Sequence, residues 1–153
     1  MADIHSKETR SYNMSRIRST NTGPEMLIRK ELHHYGFRYR LHDSSLPGKP
    51  DIVLKKYRTV IFINGCFWHG HEECKYFKMP DTNTHWWAAK ISRTKERDAI
   101  SIEQLTSLGW NIIVIFECGL KNGKAENTIT KLIRQLNRLF VRQIKKKGIV
   151  INI

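Results

Sequence analysis

Two groups of side chains in this sequence are of types and spacings that could carry chemistry. Cys66, His71 and Cys74 follow the pattern Cys-x4-His-x2-Cys, and Cys118 comes just after an apolar run ending at Phe116. Three thiolates and one imidazole form a closed tetrahedral donor set that suits zinc and leaves no open position for water, so its role would be structural. His69 is an alternative fourth donor, and spacing does not choose between it and His71. Each cysteine could instead be a small buried hydrophobe. Zinc is favoured because the site would use all 3 cysteines and staple residues 64–84, a long aperiodic loop.

The second group is acidic. Asp51 follows Gly48-Lys49-Pro50 and opens the run Ile52, Val53, Leu54. A carboxylate at the mouth of a buried strand is costly unless it is paired or binds a cation, and hard oxygen ligands there suit magnesium. Taken alone, Asp51 reads as a turn-capping residue. Glu25 begins a helix with the apolar stripe Ile28, Leu32 and Tyr35, and its spacing puts it on the buried side. Taken alone, it reads as a first-turn acid complementing the helix dipole. Asp98 interrupts a stripe of Trp87, Ile91, Thr94, Ile102 and Leu105 and is expected to be buried. His69 is an attractive partner, because an Asp–His pair fixes the tautomer and raises imidazole basicity; a local pair with Arg93 or Arg97 is the alternative. The three acids and His69 together would supply magnesium ligation and a water-activating base, the equipment for hydrolysing a phosphodiester.

The elements that must position these residues follow from periodicity and breakers. The chain reads as loose until about Ser11, with a short helix from Ser11 to Arg18 placing Met14 and Ile17 on one side. Thr22 caps a second helix, with Pro24 in its first turn and Gly36 as its stop. Phe37 to His42 reads as a strand, and residues 43–50 as turns. Two more strands run from Asp51 to Leu54 and from Thr59 to Ile63, joined by the basic turn 55–58. A long helix is predicted from Thr84 to Ser107, a buried strand from Asn111 to Phe116 and an amphipathic helix from Asn127 to Lys145. Lys145-Lys146-Lys147 is either a solvated tail or a phosphate contact. Strands alternating with helices make the class α/β with a mixed sheet.

At 153 residues the chain suffices for one domain with a real core, without disulfides. The apolar runs are too short to span a bilayer, and the first residues lack the blocks of a secretion signal. An odd number of cysteines without such a signal fits a reducing cytoplasm. The net charge of +13 asks for a polyanion, and the interleaved aromatics favour nucleic acid.

Several motifs, in order, carry a resemblance: Asn13-Met-Ser-Arg-Ile, Leu46-Pro-Gly-Lys-Pro-Asp, Thr59-Val-Ile-Phe-Ile-Asn-Gly-Cys-Phe-Trp-His-Gly-His, Glu96-Arg-Asp and Gly109-Trp…Phe116-Glu-Cys. From Ser11 to Cys118 the chain resembles the very short patch repair (Vsr) DNA mismatch endonucleases. The resemblance implies a restriction-endonuclease-like fold, a central mixed sheet flanked by helices, in a single domain: an arm (1–19), a catalytic core (20–120) and a C-terminal helix with its tail (121–153). It implies a monomer working on mismatched duplex DNA in the bacterial cytoplasm, beside a cytosine-5 methyltransferase. The strand would be nicked 5′ of the T in the T:G pair left by deamination of 5-methylcytosine. By motif match, Asp51 and the backbone carbonyl of Ile63 would bind magnesium. His69 would be the general base, Asp98 its orienting partner, and Glu25 would hold water on the metal. Zinc would sit on Cys66, His71, Cys74 and Cys118. Met14, Phe67 and Trp68 would wedge beside the mismatch, with Lys90 and Thr94 touching the base pair.

Two positions and one spacing depart from the family pattern. Asn64 stands where the pattern has His; an amide can hydrogen-bond water but cannot shuttle a proton. Thr94 stands where the pattern has Asn, and its shorter side chain reaches less far, which would alter or relax mismatch discrimination. The gap from His71 to Cys74 is one residue longer. Two other functions are kept beside the mismatch nickase: a structure-selective nuclease cutting several mismatches, and a non-catalytic, zinc-stabilised DNA-binding module.

Overall fold

Alternate residues of the short apolar runs face opposite ways, so the sheet they build is covered on both sides. The computed structural model describes residues 5–146, the side chain of Lys146 aside. Helices α1 (Lys7–Ser15) and α2 (Gly23–His34) precede strands β1 (Arg40–Leu41), β2 (Ile52–Leu54) and β3 (Thr59–Asn64). Helix α3 (Thr84–Ser107), strand β4 (Asn111–Phe116) and helix α4 (Ala125–Lys146) complete the order. The sheet runs β1-β2-β3-β4. β1 and β3 flank β2 antiparallel, and β3 pairs with β4 in parallel, Ile61 opposite Ile113. This is the expected α/β fold with a mixed sheet flanked by helices.

Ile52, Leu54, Ile61 and Ile115 share one face with Ile28 and Leu32 of α2 and with Ile129, Leu132 and Leu136 of α4. Val53, Val60 and Phe62 occupy the other face under Leu105 of α3. Full burial of each such side chain contributes about 1.5–3 kcal/mol. α3 touches this face mainly near its C-terminal end. Only Ile91 and Leu105 are buried on it, while Ile102 stays 38% exposed. Part of the stripe predicted as buried is therefore the wall of an open cleft, and Asp98 within it is half-exposed instead of buried.

Other boundaries differ for local reasons. Ser6 caps α1 by accepting from the Thr9 N–H at 3.2 Å, and Glu8 favours the first turn, so the helix starts at Lys7, in a stretch expected to be loose. It ends at Ser15, which leaves Ile17 outside it. β1 is shorter than Phe37–His42, because Phe37 turns into the core and its N–H donates to Leu32 at the end of α2. Tyr35, predicted on the buried stripe of α2, is its exposed C-cap. The basic turn after β2 is a 3-10 turn (Lys55–Tyr57). Of the basic tail, Lys145 is exposed, and the rest lies outside the described residues or side chains. Among the described residues no helix is long and apolar enough to cross a membrane.

The long loop is pressed onto α3 at Gly70. Its φ is +57°, and a Cβ there would lie 2.7 Å from Ile91 Cγ2 and from Lys95 Cε. Gly123 has φ +74° with nothing within 4 Å of a Cβ. Urea unfolding of Gly123→Ala should read the left-handed backbone cost alone, about 1–2 kcal/mol. Gly70→Ala should cost clearly more, since Ile91 must also move. Equal losses in the two variants would contradict the close approach.

Candidate active site

The ends of three strands bring the acidic group together. His42 follows β1, and its N–H donates to the Asp51 carbonyl at 3.1 Å, continuing the ladder one step past Leu41 and Ile52. The Asp51 side chain reaches across to β3 and accepts the Ile63 N–H on Oδ2 at 2.8 Å. Glu25, in the first turn of α2, is only 2% exposed. Its Oε2 accepts the Asn21 N–H at 2.9 Å, and its Oε1 lies 2.9 Å from His42 Nε2. The donor atoms of Glu25, His42 and Asp51 all lie within 4.8 Å of one another.

Burial pushes the Asp51 carboxyl above the usual carboxylate range; the Ile63 N–H opposes the shift, the nearby Glu25 carboxylate adds to it, and His42 and His69 pull it back. A buried acid with a raised pKa beside a second acid is a set of oxygens that a divalent cation would relieve, and the buried Glu25 Oε1 completes no hydrogen bond. The residues therefore fit a hard cation.

His69 comes from the long loop and Asp98 from α3, and their Nδ1 and Oδ2 lie 2.6 Å apart. Arg97, one of the local partners considered for Asp98, instead reaches Thr94 Oγ1 at 3.4 Å, and Arg93 bonds the Ala89 carbonyl. His42, Asp51, Ile63, Asn64, His69 and Asp98 line one cleft of about 280 Å³. A neighbouring groove of about 560 Å³ shares Ile63, Asn64, His69 and Asp98 and runs on past Phe67, Trp68, Lys90 and Thr94. Asn64 is itself buried, as the last residue of β3.

The four donors of Cys66, His71, Cys74 and Cys118 also lie within 4.8 Å of one another, so the cluster could hold a metal. His71 is aligned by a flat stack on Phe116, with ring centroids 3.9 Å apart, and its Nδ1 is 3.5 Å from Cys118 Sγ. His69, the other candidate donor, is turned to Asp98. Burial pushes the Cys66 thiol up to about 12, while the Tyr76 N–H and other donors draw Cys74 down. Three converging thiols of which one is buried suit a soft cation that displaces their protons.

Phe67, Trp68, Trp86 and Trp87 pack edge to face or tilted, with neighbouring centroids 4.8–6.0 Å apart. Phe67 and Trp68 are half-buried, and Trp86 is exposed. Lys90 lies over the Trp86 ring at 5.1 Å. The Thr94 hydroxyl donates back to the Lys90 carbonyl at 3.1 Å. Met14 is exposed and lines a groove with Asn83 and Trp87.

This arrangement can be set beside known proteins. Residues 2–75 match the family profile described as DNA mismatch endonuclease Vsr. The type II nicking enzyme V.NmeAIP of Neisseria meningitidis is 47% identical over 145 residues, covering 95% of this chain and 98% of the relative. The DNA mismatch endonuclease Vsr of Escherichia coli is 43% identical over 136 residues, covering 89% and 86%. The type II nicking enzyme V.XorIIP of Xanthomonas oryzae is 42% identical over 122 residues, covering 80% and 89%. The chain belongs to the Vsr family of DNA mismatch endonucleases. Residues from several of its Vsr motifs thus meet in one cleft: Asp51, Phe62, Ile63 and Asn64 from the sheet, His69 from the long loop and Asp98 from α3.

Two parts of the surface around the cleft escape the sequence motifs: His42 and the pair Trp86-Trp87. The signal for His42 lies in the strand pairing: a strand ending at residue 42 and one beginning at 51, joined by turns, must place those two residues side by side.

The raised pKa of Asp51 has a consequence for stability. A carboxyl whose folded pKa is raised contributes stability below its unfolded pKa of about 3.9, and that contribution is lost as pH rises through the folded value. Without added divalent cation, Asp51→Asn should therefore melt higher than wild type at pH 7, and the difference should vanish below about pH 4. A lower melting temperature for the variant at pH 7 would contradict the burial argument.

Proposed function

We propose that this Vsr-family chain nicks one strand of duplex DNA 5′ of the T in a T:G mismatch, the product of 5-methylcytosine deamination, in very short patch repair. The observation that carries this reading is the His69–Asp98 pair, 2.6 Å between Nδ1 and Oδ2, set in the same cleft as the Asp51 carboxylate. With its Nδ1–H donating a hydrogen bond to Asp98, the His69 ring keeps a lone pair on Nε2 and can take the proton of the attacking water. Asp98 holds that tautomer and stabilises the imidazolium that results. The Ile63 N–H fixes the Asp51 carboxylate in place.

Magnesium, held by Asp51 and the Ile63 carbonyl, would supply charge neutralisation on the scissile phosphate and a lowered pKa of water. Glu25 would orient water beside it, and the Asn64 amide, which cannot relay a proton, would help only by hydrogen bonding. Zinc in the Cys66–His71–Cys74–Cys118 cluster would hold the loop that carries His69, Phe67 and Trp68. Phe67 and Trp68 from one side and Met14 from the arm (1–19) would wedge into the mismatch, and Lys90 and Thr94 would meet the base pair. Unstacking costs a few kcal/mol per step, less where pairing is already faulty, so a wobble pair is selected partly because it opens easily. The core (20–120) would carry the chemistry and the C-terminal helix (121–153) would support the sheet. The protein would act as a monomer in the bacterial cytoplasm, beside a cytosine-5 methyltransferase.

One observation favours a second reading, a structure-selective nuclease that cuts several mismatches. The Thr94 hydroxyl proton is engaged by its own helix, so the side chain has only acceptor capacity for a base. A nicking panel of all mismatches in one sequence context, with magnesium supplied and withheld, separates the readings. Cleavage confined to T:G supports the first, and comparable cleavage of several mismatches supports the second. Mismatch binding with no cleavage at all would leave only a zinc-stabilised DNA-binding module.

Asp98→Asn should lower the nicking rate about 100-fold or more while leaving duplex affinity near wild type. An unchanged rate would remove the pair from the mechanism. Duplex affinity should fall steeply with salt, as Lys and Arg contacts release counterions; a flat salt response would contradict phosphate-dominated binding. Cys118→Ser should lose zinc by elemental analysis and lower the melting temperature, since a structural zinc contributes folding energy directly.

A further inference from the structure

We propose that His42 supplies a nitrogen donor to the divalent cation held by Asp51, so that the site binds manganese more tightly than magnesium. The inference rests on the reading that Asp51 is the cation's carboxylate ligand, and it adds a residue that the family motifs do not include.

The geometry is that of a donor without a proper partner. The imidazole stands between two acids, with Nε2 2.9 Å from Glu25 Oε1 and Nδ1 3.9 Å from Asp51 Oδ1. The shorter contact has no hydrogen-bond geometry, so Nε2 and Oε1 are both buried atoms without a hydrogen-bond partner. The longer gap exceeds a hydrogen bond, but a cation with bonds of about 2.1 Å can join any two donors less than about 4.2 Å apart. The other contacts of Glu25 are the Asn21 N–H on Oε2 and the Arg29 guanidinium, 3.5 Å from Oε1. Neither occupies the space between His42 and Asp51.

The backbone holds the ring there. His42 has φ +47°, a left-handed conformation that is uncommon outside glycine but enriched for His, Asn and Asp. Its N–H is tied to the Asp51 carbonyl. Glu25 stands behind the ring, 2.9 Å from Nε2, where a small turn of the ring would let its carboxylate accept from the second nitrogen, as carboxylates do behind metal-ligating histidines. A nitrogen ligand changes which ion is preferred. Magnesium takes hard oxygen donors almost to the exclusion of nitrogen; manganese also prefers oxygen, but as a first-row transition ion it loses less by taking one imidazole among them.

Manganese is both the test ligand and the probe. With the Cys3His cluster filled by zinc, wild type, His42→Asn and Asp51→Ala are titrated with Mn2+, and free ion is read by electron paramagnetic resonance, with Mg2+ as competitor. Asparagine suits the left-handed position, so the variant leaves the turn intact. We expect His42→Asn to weaken Mn2+ about tenfold or more, with Mg2+ affinity changed far less, and Asp51→Ala to abolish both. Spin-echo modulation of bound Mn2+ should show in wild type a coordinated imidazole nitrogen that is missing in His42→Asn, which separates His42 from His69 in the same cleft. Absence of that modulation, or equal Mn2+ affinity in wild type and His42→Asn, would overturn the role of His42. If in either case Asp51→Ala still abolishes binding, the Asp51 assignment stands. Retention of Mn2+ in Asp51→Ala would overturn that assignment and this inference with it.

Discussion

The site depends on one carboxylate held at the end of a strand. Asp51 cannot retreat into water, because its backbone carbonyl is tied to His42 and its side chain to the Ile63 N–H. Those ties exist because β2 lies between β1 and β3 and is antiparallel to both. The sheet is pinned by cores on both faces, so the carboxylate position is set by packing on both sides of the sheet. Its ionised form is penalised by burial, and a divalent cation beside it would relieve that penalty. Stability is thereby given up at a point where charge is needed, as is common where active-site carboxyls are tuned.

The second constraint is the loop between β3 and α3. Without regular structure, it needs external holds, and two stand out among the described residues. The Cys3His cluster joins it to the segment after β4, and Gly70 lets it lie against Ile91 of α3. His69 and His71 sit either side of that glycine and turn to different partners, one to Asp98 and the other to the thiols. The short spacing therefore couples the His69–Asp98 pair to the Cys3His cluster. Phe67 and Trp68 ride on the same stretch and pack on Trp87, so the aromatic surface and the imidazole are presented by one rigid unit.

Much of this arrangement is legible in the amino-acid sequence. The bounds of α3 and β4 and the cap of α2 at Thr22 follow from periodicity and breaker residues, signals that are local. The cysteine cluster stands out because its donors are few and chemically conspicuous. The pairing of Asp98 with His69 is readable too, although burial is the wrong reason for it. Periodicity makes the α3 stripe look buried, whereas half of it faces an open cleft; the pattern shows which side an amphipathic helix turns inward, not how far the sheet extends beneath it. Phe37 and Tyr39 have strand-like types, which makes β1 look longer than it is. Both are claimed by α2, through core packing and a hydrogen bond from the Tyr39 hydroxyl to the Arg29 carbonyl. The place of His42 beside Asp51 follows from strand pairing, since His42 ends the stretch that reads as a strand and Asp51 opens the next, but its contact with Glu25 of α2 is tertiary and has no signal along the chain.

The central claim is that a divalent cation sits on Asp51 within reach of His69. The direct measurement is anomalous diffraction from crystals of the protein with mismatched DNA, grown with manganese. The account predicts a peak within bonding distance of the Asp51 carboxylate, in the cleft lined by His69 and Asp98. Bound DNA with a fully ordered Asp51 and no peak in that cleft would contradict it.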